Sequence, residues 1–142
     1  MTTKNYQALI EDRIFIGGAD DALNVIENEK ADISVDLRAE AKEDYTHENR
    51  VHSPIVDDAD QQDESVKKAI DLVVSAYKEG KKVYFHCAGG SNRTGTVAIG
   101  TLLALGEANT IEEAEAKAQA ARPKIKVKPA LKGTLARLYP EA

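Results

Sequence analysis

The chain is 142 residues long, with a net charge of −5, 42% hydrophobic and 30% charged residues, and a single cysteine. That length can bury a sizeable core but not two ordinary domains, so one domain over 1–142 is expected. One cysteine excludes an intramolecular disulfide and fits a reducing, cytoplasmic compartment. The acidic balance disfavours nucleic acid or an anionic membrane as the main partner.

The opening "MTTKNYQALIEDRIFIGG" lacks the basic start and apolar core of a secretory leader, and no apolar run reaches membrane-spanning length. "RIFIGG", residues 13–18, reads as a short strand ending in a turn. Asp20 or Asp21 is expected to cap a helix running to about Glu29. "DISVDL", residues 32–37, alternates Ile33, Val35 and Leu37 on one face, the pattern of a half-buried strand. The charged run over 39–49 predicts a loop, and Pro54 marks "RVHSPIV" as an edge strand or a strand end.

From residue 63 the periodicity is helical, with Val66, Ala69, Ile70, Val73, Val74 and Tyr77 on one face, Asp63 as the expected cap and Gly80 as the stop. "KVYF", residues 82–85, is the next strand, and an apolar helix is predicted from Arg93 to about Leu105. Thr110 and Glu113 form a capping box that opens a helix to Ala121, and Pro129 opens a last helix to Tyr139. Strands alternating with helices predict an α/β fold with a central, mostly parallel sheet of four to five strands flanked by helices. In such sheets ligands bind at the carboxyl ends of the strands, and Cys87 lies at one of them.

Between that strand and the following helix stands "HCAGGSNRT", residues 86–94. Successive backbone amides before a helix form an anion cradle, and the helix dipole reinforces it. Gly89 and Gly90 provide backbone freedom for the loop to curl, and Arg93 offers a planar fork for two phosphate oxygens. A thiolate at Cys87, stabilised by the same field, would be a nucleophile aimed at the phosphorus of a bound phosphate.

The stretch resembles the HCxxGxxR(S/T) signature of the cysteine-dependent protein tyrosine phosphatases, and the compact chain looks most like their dual-specificity branch. "IEDRIFIGGADDA", "SPIVDDADQQDESVKKAIDLV" and "ARPKIKVKPALKGTLARL" are similar to that branch's opening strand, general-acid loop and closing helices. The resemblance implies a phosphatase P-loop between a central strand and a helix. Cys87 would be the nucleophile and Arg93 the transition-state ligand. Thr94 would lend its hydroxyl to the Cys87 sulfur, and Ala88, Gly89, Gly90, Ser91 and Asn92 would line the phosphate. His86 is expected to orient the loop. The acid that protonates the leaving group falls in "VDDAD": the resemblance favours Asp58, with Asp57 and Asp60 as alternatives and Asp63 as the cap of the next helix. Runs of this kind are commonly solvated surface charge, but an acid is what the loop after the third strand should supply.

Neither metal nor cofactor is implied, since His47 and His52 lack metal-ligand spacing. Asp36 and Arg38 read as an ion pair, and Lys124, Lys126, Lys128 and Lys132 as a basic face that could draw phosphorylated substrates. A nucleotide-binding P-loop is excluded by Thr96, which stands where a Walker A lysine is required, and a dithiol redox role by the missing second cysteine. The expected substrate is a phosphorylated protein, chiefly phosphotyrosine with phosphoserine or phosphothreonine admitted. A nucleotide, RNA 5′-phosphate or other small phosphoester is the alternative, and a catalytically silent phospho-binding module is the reading from another class. Oligomeric state is not legible.

Overall fold

The computed structural model describes residues 6–39, 50–56 and 62–142. Five strands, β1 (Gln7–Ile10), β2 (Ile14–Gly18), β3 (Ile33–Arg38), β4 (Arg50–Ile55) and β5 (Val83–Cys87), form one sheet in the order β1-β2-β5-β3-β4. Only β1 runs antiparallel to its neighbour; the other pairings are parallel. The helices are α1 (Ala22–Glu29), α2 (Asp63–Lys78), α3 (Asn92–Ala104), α4 (Ile111–Ala121) and α5 (Pro129–Leu138).

Alternation along the strands creates two unequal cores. Ile14, Ile16, Val35, Leu37, Val83 and Phe85 join the apolar faces of α2, α3, α4 and α5 in the larger one. Phe15 and Tyr84 point the other way and pack with Tyr6, Val25 and Ala31 in the smaller. Strand β5 is central, with every residue buried, so its carboxyl end at Cys87 sits on the most constrained element of the sheet.

The structure differs from the sequence expectations at several element ends. Strand β1 had no periodic signal of its own, being four half-buried residues, and its pairing is carried by a hairpin turn with Asp12 at φ 63. Strand β5 continues through His86 and Cys87, because Gly18 pairs in register with Cys87 on one side and Asp36 with His86 on the other. Asp63 does not cap α2. Gln62 occupies the cap position, and the Asp63 carboxylate instead pairs with Arg137 of α5 at 2.7 Å. The residues before α1 form a short 3-10 turn, and Asp21 caps α1 without a side-chain bond. Thr110 caps α4 as expected, its hydroxyl accepting from the Glu113 amide at 3.0 Å.

Candidate active site

The site grows from the junction of β5 and α3. Both flanking elements are fixed by burial: β5 is covered on both faces, and α3 is buried from Asn92 to Leu102. Residues 88–91 bridge them, and Gly90 adopts φ +70, where a side chain is strained. A Cβ there would also fall 2.6 Å from the Gly17 carbonyl carbon and 2.7 Å from the Arg122 guanidinium. Gly89 shows neither constraint, so of the two loop glycines only Gly90 is demanded by the backbone.

Consecutive loop carbonyls are satisfied from outside the loop. The Ala88 carbonyl accepts from the Ala19 amide at 3.2 Å. The Gly89 and Gly90 carbonyls accept from Arg122, whose Nη2 and Nε lie at 3.2 Å and 2.8 Å. Among the described residues all peptides are trans, so C=O and N–H point opposite ways. The amides of Gly89, Gly90 and Ser91 therefore turn away from these donors, as a nest for an anion requires. Asn92 and Ser91 are braced from the basic segment: the Lys128 amide donates to Asn92 Oδ1 at 2.8 Å, and Ser91 Oγ donates to the Lys124 carbonyl at 2.9 Å.

Cys87 is 3% exposed. The Thr94 hydroxyl, in the first turn of α3, accepts from the Cys87 amide at 2.9 Å and lies within donating reach of Cys87 Sγ at 3.1 Å and of the Gly17 carbonyl at 3.4 Å. Arg93 is also 3% exposed, and its Nη1 donates to the Ile55 carbonyl at 3.2 Å. Arg93 is thus tied to the last residue of β4, from which the chain leaves toward Asp57, Asp58 and Asp60. Those three aspartates lie outside the described residues. The ends that flank them are joined, because the Val56 amide donates to Gln62 Oε1 at 3.1 Å.

His86 lies beneath the loop rather than in it. Its Nδ1–H donates to the Cys87 carbonyl at 3.3 Å, and its ring stacks on Tyr84 with centroids 5.4 Å apart. Burial pushes its pKa down to about 4; Asp36 opposes this, and Arg38 and Arg50 add to it. The imidazole is therefore neutral near pH 7 and serves as a hydrogen-bonding support. Asp36 is fully buried, and burial alone would raise its pKa. Hydrogen bonds from Arg38 and Arg50 outweigh that and hold the carboxyl far below the usual range. The expected Asp36–Arg38 pair is thus a triad, with Arg50 at 2.9 Å. A lone buried pair leaves charge poorly compensated, and the second arginine completes the acceptor sites of the carboxylate.

The His86 shift gives a pH prediction. The folded pKa lies below the unfolded 6.5, so acid protonates the unfolded chain first and stability falls as pH drops from about 6.5 to about 4. The loss should approach roughly 3 kcal/mol at the lower end. Thermal melts of wild type and His86→Gln across pH 7 to 4 should show a shallower slope in the variant; parallel slopes would refute the assignment.

The sequence reading overlooked Arg122 and Tyr84. Arg122 lies at the end of α4, far from the signature in sequence, and its only signal is a lone arginine before Pro123. Tyr84, whose hydroxyl donates to the Gly18 carbonyl at 2.5 Å, reads in sequence as one more strand apolar.

The family model for the dual specificity phosphatase catalytic domain matches residues 14–140. The chain belongs to this family. It is a cysteine-based phosphatase of the tyrosine and dual specificity superfamily, acting on phosphomonoesters. No curated protein matches this dual specificity phosphatase by sequence. Among solved structures it is similar to the active form of Tk-PTP, at 20% identity and TM-score 0.80, over 99% of this chain and 100% of that one. It is similar also to PTPMT1 in complex with PI(5)P, at 16% identity and TM-score 0.80, over 97% and 96% of the two chains. Human DUSP28 matches at 16% identity and TM-score 0.78, over 96% and 93%. Identities this low establish the shared fold and nothing of substrate. Among the described residues, no helix is long and apolar enough to cross a membrane.

Proposed function

We propose that this phosphatase uses Cys87 as its nucleophile, Arg93 as the transition-state ligand and Asp58 as the general acid, in a single catalytic domain over 1–142. The observation that carries the reading is the Thr94 hydroxyl 3.1 Å from the Cys87 sulfur, in a nest of loop amides before α3. The Cys87 sulfur attacks phosphorus, the ester P–O bond breaks, and Asp58 delivers a proton to the departing oxygen. Water then attacks the phosphocysteine and gives its proton to the Asp58 carboxylate. The P–S bond breaks, releasing inorganic phosphate and a thiolate that the Thr94 hydroxyl stabilises. Arg93 and the amides of residues 88–93 bind the equatorial oxygens, which gather charge in both steps.

The proposed substrate is a phosphorylated protein, phosphotyrosine foremost. The loop residues Ala88, Gly89, Ser91 and Asn92 are uncharged, which suits a simple aryl phosphate better than a multiply charged headgroup such as the PI(5)P bound by PTPMT1. Beside the loop lies an open recess of about 480 Å³, lined by Gln7, Asp20, Asp21, Gly89, Arg122 and Lys124. Its mixed charge suits a peptide flank. Turnover of phosphotyrosine, phosphoserine and phosphothreonine peptides beside nucleotides, 5′-phosphorylated RNA and phosphoinositides, with Cys87→Ser as blank, tests this order. A preference for a non-protein phosphoester would overturn it.

Asp58→Asn tests the acid. A tyrosine phenolate, and still more a threonine alkoxide, needs the proton far more than p-nitrophenolate does. The expected loss is about 10²-fold or more on a phosphotyrosine or phosphothreonine peptide, and a smaller one on p-nitrophenyl phosphate. Equal losses on both would transfer the role to Asp57 or Asp60.

A further inference from the structure

We propose that Arg122 is a positioning residue for catalysis: its guanidinium sets the orientation of the phosphate-binding amides by gripping the back of the loop. The inference rests on the reading of residues 87–93 as the phosphate cradle. A loop whose amides converge on an anion must turn its carbonyls outward, where they need donors or lose about 1–3 kcal/mol each when buried. Arg122 satisfies two successive ones with a single rigid plane, Nε to Gly90 O at 2.8 Å and Nη2 to Gly89 O at 3.2 Å. Two donors fixed in one fork lock two peptide planes relative to each other, which separate single donors would not.

The fork is itself held. Nη1 donates to Gln7 Oε1 at 2.7 Å, linking the loop to edge strand β1, and Arg122 as a whole is 6% exposed. The nearby Gly90 contact adds a steric half to the grip, since any Cβ at residue 90 would meet the guanidinium. Arg122 thus faces the loop from the side opposite its amides and does not reach the phosphate. Nε, Nη2 and Nη1 each donate to an acceptor within the protein, Gly90, Gly89 and Gln7, so the guanidinium is oriented by the loop and by β1.

Arg122→Lys keeps charge and stem but cannot span both carbonyls. The expected result is a folded protein whose kcat on p-nitrophenyl phosphate falls by about tenfold to a hundredfold, with a smaller rise in KM, because amide alignment matters most when charge gathers in the transition state. Inorganic phosphate, titrated calorimetrically into the Cys87→Ser and Cys87→Ser/Arg122→Lys proteins, should bind the latter about tenfold more weakly. Arg122→Ala should recover part of its lost kcat with added ethylguanidinium, which refills the fork. A lowered melting temperature with unchanged kcat, KM and phosphate affinity would make Arg122 merely structural and overturn the proposal. Failure of wild type itself to turn over substrate or bind phosphate would instead overturn the cradle reading beneath it.

Discussion

Cys87→Ser is expected to lower turnover of p-nitrophenyl phosphate by at least about 10⁴-fold while leaving inorganic phosphate bound. A serine hydroxyl keeps its proton near neutral pH and is a far weaker nucleophile toward phosphorus than a thiolate. The groups proposed to hold the phosphate, Arg93 and the loop amides, are untouched by the substitution. The Thr94 hydroxyl still accepts the residue 87 amide, and the Gly89, Gly90 and Ser91 amides keep their direction, because the bonds that set it run to Ala19 and Arg122.

The variant therefore separates chemistry from binding. Rapid acid quench of the wild-type enzyme with an aryl phosphate should trap one equivalent of phosphate on the protein, with none on Cys87→Ser. Calorimetry should show both binding phosphate with similar affinity. Retained turnover in Cys87→Ser would remove Cys87 from the mechanism; lost binding would show that the sulfur also builds the cradle.

The parts of this enzyme that were legible in sequence are those where one residue reports one constraint. The run from Cys87 to Thr94 is such a case: strand end, glycine turn, arginine and hydroxyl follow one another in chain order, and the structure brings the Thr94 oxygen and the Cys87 sulfur within 3.1 Å. Helix α4 is another, since a threonine N-cap is a local bond, here from the Glu113 amide to the Thr110 hydroxyl. Strand β1 escaped because four half-buried residues at a sheet edge carry no period, and only the hairpin partner β2 makes them a strand.

Support from a distance was the harder part. Arg122 is thirty-two positions from the Gly90 carbonyl it holds, and Arg50 fourteen from Asp36. A buried arginine and a solvated one look alike in sequence; what distinguishes them is which carbonyls or carboxylates the fold brings to the fork. Asp63 errs in the opposite direction. A carboxylate at a helix start suggests a cap, but a strong partner on another helix, Arg137, competes for it and wins. Local propensity identified elements reliably and failed where a long-range partner offered a stronger bond.

Arg93→Lys should cost about 10³-fold in kcat on p-nitrophenyl phosphate, with a rise in KM of about tenfold, although the charge is conserved. The reason is geometric. Arg93 is buried at 3% exposure with Nη1 already donating to the Ile55 carbonyl, so the guanidinium plane is fixed by the end of β4 before any phosphate arrives. A lysine ammonium replaces a rigid plane of donors with a single rotating point. It can satisfy Ile55 or meet a phosphate oxygen, and it cannot present two coplanar N–H groups to the equatorial oxygens while doing both. The loss should fall mainly on kcat, because those oxygens carry most charge at the transition state. It should also exceed that of Arg122→Lys, which acts only through amide alignment. Steady-state kinetics on both variants, with melting temperatures to confirm folding, checks the order. A loss within tenfold for Arg93→Lys would mean that charge alone suffices and that the bidentate grip plays no part.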